Sequence, residues 1–272
     1  MKIQALLGLT RLIGLLIVLL SLVFFLILSQ LLNRITPLKY ANFYKKIIVT
    51  LEFWHVKALL LMTGVKVRAT IEGSPETPCL IVANHISYVD VLAIAGVLPT
   101  SFMAKSEVEE WGLISSVIKY SNGIFVNRDC RVSRVKAMFE LVSTLKNRNM
   151  CVFPEGSTTA HEPPTSQVWQ RGAFAAAHRA KSALLVLGIS YEDRENTPWI
   201  GEMSFLPHFW ATICRPTTRV AIVGKYYSSK SIITTPIREM AETARKDVAD
   251  SLHTGTSYFL ANRGGLQNYA TS

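Results

Sequence analysis

The sequence predicts an α/β fold, a mixed sheet with flanking helices, preceded by an N-terminal two-helix membrane-associating element. Three observations carry this prediction. Leu12 to Leu32 holds 21 residues without a charge, short apolar runs alternate with helix-like segments from Gly64 onward, and polar clusters follow several of those runs. Strands that alternate with helices are the pattern of an α/β domain. The chain divides on this basis into 1–63, an apolar helix plus an amphipathic helix, and 64–272, the α/β domain.

The first helix, Leu12 to Leu32, would be about 31 Å long at the usual rise, enough to cross a bilayer. It is too long for the apolar part of a signal peptide, and Ser29-Gln30-Leu31-Leu32-Asn33 is a poor cleavage site, so it is expected to be retained. Lys2 and Arg11 on one flank oppose Arg34, Lys39, Lys45 and Lys46 on the other, which leaves both a spanning and a one-leaflet placement open. Thr36-Pro37 breaks the chain. From Ala41 to Met62, Phe43, Ile47, Leu51, Trp54 and Ala58 recur near helical spacing among lysines, as in a helix lying in a headgroup layer.

Past Gly64, alternation of Val65, Val67, Ala69 and Ile71 with polar residues reads as a half-buried strand. Cys79 to Ala83 is a short buried strand, and Asp90 caps a helix begun by Val91. Strands are expected at 101–105, 123–127, 150–153, 183–190 and 220–224. Helices are expected at 107–119, with Gly112 as a weak point, at 131–146 with Val135, Met138, Phe139, Val142 and Leu145 as the apolar face, at 172–181 and at 236–252.

Hydrophobic residues make up 49% of the chain and the formal net charge is +10, a balance that suits a protein meeting lipid and an anionic surface. The basic residues are dispersed and no recognition motif accompanies them, which argues against a nucleic-acid partner. Cys79, Cys130, Cys151 and Cys214 lack paired metal-ligand spacing and read as reduced residues, without a zinc site or a disulfide framework.

The chemistry is concentrated in Asn84-His85-Ile86-Ser87-Tyr88-Val89-Asp90. A strand-end histidine whose far ring nitrogen donates to a carboxylate keeps its near nitrogen free to take a proton. An ordinary capping turn has the same composition. Three further clusters change the weighing: Gly123 to Arg128, Phe153-Pro154-Glu155-Gly156-Ser157-Thr158, and Gln170-Arg171-Gly172. Arginine is a natural bidentate partner of phosphate, and N–H groups at a helix start or glycine turn can hold an oxyanion.

Together these motifs resemble the membrane-bound glycerophospholipid acyltransferases of the lysophosphatidic acid acyltransferase group. Asn84-His85-(four residues)-Asp90 is similar to the first family motif, Gly123 to Arg128 to the second and Phe153 to Ser157 to the third, in the usual order. The fourth is an apolar strand bearing prolines, whereas Ala183 to Ile189 has none. The resemblance implies an acyltransferase catalytic domain at 64–272. It would move a fatty acyl group from an acyl-CoA or acyl-carrier-protein thioester to the sn-2 hydroxyl of lysophosphatidic acid. His85 would be the general base and Asp90 its orienting partner. Arg128 would grip phosphate, Glu155 would hold a hydroxyl or organise the arginines, and Lys105, Gly156, Ser157 and Arg171 would make lesser contacts. No metal or permanently bound cofactor is expected. The implied setting is an inner membrane with anionic headgroups, the catalytic domain facing the cytoplasm. Alternatives are acylation of glycerol-3-phosphate, of another lysophospholipid or of lyso-ornithine lipid, a lipid thioesterase or lipase, and a non-catalytic membrane scaffold.

Overall fold

A computed structural model describes residues 2–35, 40–74, 78–159, 169–201 and 203–267. Helix α1 (Lys2–Ile35) and helix α2 (Ala41–Thr63) precede the sheet, and the expected break at Thr36-Pro37 lies outside the described residues. Strands β1 (Val65–Glu72), β2 (Cys79–Ala83), β3 (Ser101–Lys105), β4 (Ile124–Val126), β5 (Met150–Val152), β6 (Ala183–Tyr191) and β7 (Thr218–Tyr227) form one sheet in the order β1-β7-β6-β2-β5-β3-β4. Strands β2 to β6 run parallel to their neighbours, and β6 meets β7 antiparallel, which makes the sheet mixed as expected.

Residue alternation distributes the core. Leu80 and Val82 of β2 face one layer, packed with α5 (Arg131–Thr144), α6 (Gly172–Ala180) and α9 (Ile237–Gln267), while Cys79, Ile81 and Ala83 face α3 (Val89–Ala95) and the end of α2. Side chains alternate across a pleated strand, so each strand feeds both layers. Every residue of β6 is buried. Gly188 in that strand lets α9 approach, since a Cβ there would lie 2.4 Å from the Ser251 side chain.

The remaining helices refine the sequence reading. The segment expected as one helix at 107–119 is a 3₁₀ turn, Ser106–Glu110, followed by α4 (Leu113–Tyr120), with Gly112 at φ 52° between them. The left-handed backbone that glycine accepts there ends one helix and starts another. Helices α7 (Phe205–Cys214) and α8 (Ser229–Thr234) were not foreseen. Pro207 falls in the first turn of α7, where a missing N–H costs little.

The apolar face assigned to α5 also needs correction. Ala137 and Leu141 are buried and Met138 and Val142 partly so, but Val135 and Phe139 point outward.

Helix α1 lies along the α/β domain. Near its start Arg11 donates to the carbonyls of Ile213 (3.0 Å), Arg215 and Pro216 (2.8 Å) at the end of α7. Leu15, Leu22 and Leu26 pack with Leu59 and Ile213, and Gln30 reaches the carbonyl of Tyr120 at 3.3 Å. The opposite face exposes Ile3, Leu6, Leu9, Ile13, Ile17, Leu20 and Phe24.

Candidate active site

Five parallel strands end on one edge of the sheet, at Ala83, Lys105, Val126, Val152 and Tyr191. In α/β sheets the carboxyl edge is where ligand groups converge. The residues that follow these ends are Asn84-His85, Asn127-Arg128 and Phe153 to Gly156. The fold thus gathers clusters that are far apart in sequence.

The turn after β2 is locked from several directions. Asn84 extends the ladder with its side chain, donating to Ile189 O at 3.0 Å and accepting from Ile189 N at 2.8 Å. The backbone is thereby freed to leave the sheet. Asp90 is buried in the first turn of α3 and does not cap it. Its Oδ2 accepts from His85 Nδ1 at 2.9 Å, from Ile86 N at 2.7 Å and from Ser87 N at 2.9 Å, while Oδ1 accepts from the Tyr191 hydroxyl. A buried carboxylate with four donors is satisfied as an anion. The proton on Nδ1 points to Asp90, so Nε2 carries the lone pair. Phe153 stacks on the imidazole with centroids 3.9 Å apart and an 11° angle. Ring position and tautomer are both fixed, as a general base requires.

Next to this imidazole is a second buried carboxyl. Glu155 accepts from the Thr159 hydroxyl at Oε2, while its buried Oε1 has no partner among the described residues. Burial pushes the Glu155 carboxyl above its ordinary range, against the opposing effects of the Thr159 bond and of His85. The turn is tied to His85, since Thr159 N donates to His85 O at 2.9 Å.

Gly156 has φ 84°, and a Cβ there would lie 3.3 Å from Arg128 Nη1, so the guanidinium rests against this glycine turn. Asn127 Oδ1 accepts from Asp129 N and Cys130 N at 3.0 and 3.2 Å, folding the link between β4 and α5 into the loop that presents Arg128. The Arg128 side chain is half-buried, and desolvation lowers its pKa despite the charge of Glu107. An anion bound here would regain that lost solvation.

The other expected residues are placed less tightly. Lys105 ends β3 and pairs with Glu107 at 2.5 Å in the open. Gly156 N already donates to Phe153 O at 3.1 Å, so this amide is occupied. Ser157 and Arg171 are exposed. Arg171 follows Gln170, whose N–H reaches Pro154 O at 3.0 Å, which brings its backbone to the turn. Sequence reasoning missed Tyr191 and Thr159, and gave Phe153 no role. Only the pairing of β2 with β6, Ala83 opposite Leu187, brings Tyr191 to Asp90.

A strand-end histidine held by a buried aspartate, beside a half-buried arginine at a glycine turn, lies at the carboxyl edge of this α/β sheet. Residues 65–192, just under half of the chain, match the family described as Acyltransferase. The chain is 29% identical over 159 residues to a lyso-ornithine lipid O-acyltransferase of Pseudomonas aeruginosa, covering 57% of this chain and 60% of that protein. It is 32% identical over 123 residues to a 1-acyl-sn-glycerol-3-phosphate acyltransferase of Neisseria gonorrhoeae, covering 44% and 48%. The matched part thus spans about half to three fifths of the length of these curated relatives. The crystal structure of the 1-acyl-sn-glycerophosphate acyltransferase from Thermotoga maritima superposes with a TM-score of 0.61 at 20% identity, over 90% of this chain and 97% of that one, a likeness of fold.

Proposed function

We propose that this protein is a membrane-seated acyltransferase that moves a fatty acyl group from a CoA or acyl-carrier-protein thioester to the free hydroxyl of lyso-ornithine lipid. The observation that carries the chemistry is His85 Nδ1 bonded to buried Asp90 at 2.9 Å, which leaves Nε2 as the acceptor. Nε2 takes the hydroxyl proton as that oxygen attacks the thioester carbonyl. The new C–O bond forms, the tetrahedral intermediate collapses with loss of the C–S bond, and the imidazolium returns its proton to the departing thiolate.

The acceptor follows from charge and from the relatives. A phosphomonoester is close to a dianion and is best held by more than one cation, but beside Gly156 stands Arg128, and Lys105 is already paired with Glu107. An ornithine headgroup bears a single carboxylate, which one guanidinium such as Arg128 can hold through two parallel N–H groups. Lyso-ornithine lipid acyltransferases of Pseudomonas aeruginosa and Rhizobium meliloti are among the relatives. Lysophosphatidic acid is the second reading, favoured by the same Arg128 and by the Neisseria relative.

The exposed apolar face of α1, with the domain docked along its other side, supports a seat in one leaflet. Between α1, α2, α3 and α4 an apolar cavity of about 110 Å³ is lined by Leu22, Phe53, Val91 and Phe102. Phe102 stacks towards Phe153, the ring against His85, which supports this cavity as part of the path for an acyl chain.

The test is transfer by the purified full chain in lipid nanodiscs, with one thioester donor and a panel of lyso-ornithine lipid, lysophosphatidic acid, headgroup-bearing lysophospholipids and glycerol-3-phosphate. Lyso-ornithine lipid should give the highest kcat/KM. Preference for lysophosphatidic acid would install the second reading, and free fatty acid as sole product would sink both.

A further inference from the structure

Helix α5 carries an apolar stripe that the fold leaves uncovered. Its inner residues Ala137 and Leu141 are buried, whereas Val132, Val135 and Phe139 are 76%, 43% and 60% exposed. A shallow hollow along the helix is bounded by these three with Arg131, Lys136 and Glu140. At the angular step of an α-helix the three apolar residues fall within an arc of about 60°, with Arg131 and Lys136 each about 40° beyond its edges. Arg134 adds a third cation to the helix, and its acid, Glu140, lies 3.7 Å from Lys136. An apolar centre with a cationic rim is complementary to an apolar surface with an acidic rim.

Position selects the kind of partner. Helix α5 packs on the sheet layer shared with α6 and α9, while α1, α2 and α3 occupy the other side. The stripe is therefore turned away from the lipid-facing helices, which favours a soluble partner over the bilayer. It also begins at the active-site edge, because α5 starts three residues after Arg128 and Phe139 lies only about 12 Å further along the axis. A partner seated here would be beside the glycine turn.

We infer that this face of α5 docks an acidic, helical acyl carrier protein and so presents its thioester to His85. The inference rests on the acyl-transfer reading above and names the donor within it. The carrier's acidic groups meet Arg131 and Lys136 on the rim, and an apolar side chain fills the hollow at Phe139. A CoA thioester needs none of this surface.

The experiment uses the full chain in nanodiscs and two donors of one chain length, acyl-CoA and acyl-[acyl carrier protein]. The double variant Arg131→Glu with Lys136→Glu, and separately Phe139→Ser, are compared with wild type. The KM for the carrier-borne donor should rise roughly tenfold or more in the double variant, with kcat, the KM for acyl-CoA and membrane retention unchanged. Titration of the acyl carrier protein against wild type should show binding that weakens with salt and falls by the same factor in the variant. Unchanged carrier-donor kinetics, or equal loss on both donors, would overturn the inference. Loss of membrane retention would assign the stripe to lipid instead. If wild type uses acyl-CoA but neither binds nor uses the carrier protein, the docking face is wrong while the acyl-transfer reading stands. If it uses neither donor, that reading fails, and the titration alone decides the surface.

Discussion

Tyr191 closes the coordination of Asp90: its hydroxyl donates to Oδ1 while His85 and two backbone amides hold Oδ2, so residues 101 positions apart complete one buried carboxylate. Burial and the Asp90 charge push the Tyr191 phenol well above its ordinary range, which keeps it protonated and donating. The His85 imidazole is thus organised through β2 and β6 together, and neither strand would orient it alone.

Tyr191→Phe should therefore act through Asp90. The carboxylate would lose one of four donors in a site closed to water, a loss of about 1–3 kcal/mol. We expect kcat to fall roughly tenfold with acceptor and donor KM nearly unchanged, the signature of a positioning residue. Asp90→Asn and His85→Ala should lower kcat by about 100-fold or more for loss of general-base chemistry. Near-wild-type turnover in folded His85→Ala would remove the proposed base.

Glu155 links stability to pH. Because burial raises its carboxyl in the folded protein, the folded state retains a proton that the unfolded chain has already lost. That contribution is complete below the ordinary glutamate value of about 4.5 and disappears as pH rises through the raised folded value. Glu155→Gln keeps the shape and an oxygen for Thr159 without acquiring charge. Its melting temperature relative to wild type should climb as pH increases from 4.5 towards neutrality, then level off. A difference independent of pH in thermal melts would contradict a buried carboxyl that ionises at a cost.

The sequence revealed the motifs better than the contacts among them. The run from Cys79 to Ala83 and the periodicity of the later strands sufficed for an α/β fold, because strand and helix periods are local properties. His85 with Asp90 was legible for the same reason, the two lying within one turn. Tyr191 was not, since nothing in Ala183 to Tyr191 distinguishes it until β6 is laid against β2. Val135 and Phe139 misled in the opposite direction. Helical spacing identifies a common face but does not say that the face is covered, and α5 buries Ala137 and Leu141 instead. Helix α7 was not foreseen, although Pro207 sits in its first turn, where a missing N–H costs little.

Arg128 is where the acceptor headgroup should be read. Its guanidinium is half-buried and poorly solvated, rests against Gly156, and has its planar fork available for a carboxylate or phosphate. A contact made equally in the bound acceptor and the transition state changes KM and leaves kcat largely alone. Arg128→Ala should raise the acceptor KM roughly tenfold to a hundredfold, the range of a lost charge-assisted hydrogen bond worth about 1.5–3 kcal/mol, with donor KM unchanged. Arg128→Lys should recover part of this, because an ammonium restores charge but not two parallel N–H bonds. Gly156→Ala should move acceptor KM in the same direction, since its Cβ would stand 3.3 Å from Nη1 and φ 84° strains any side chain. Steady-state kinetics with lyso-ornithine lipid and lysophosphatidic acid in parallel decide the matter. If Arg128→Ala abolishes kcat while acceptor KM stays fixed on both, the arginine acts on the reacting thioester and the headgroup is held elsewhere.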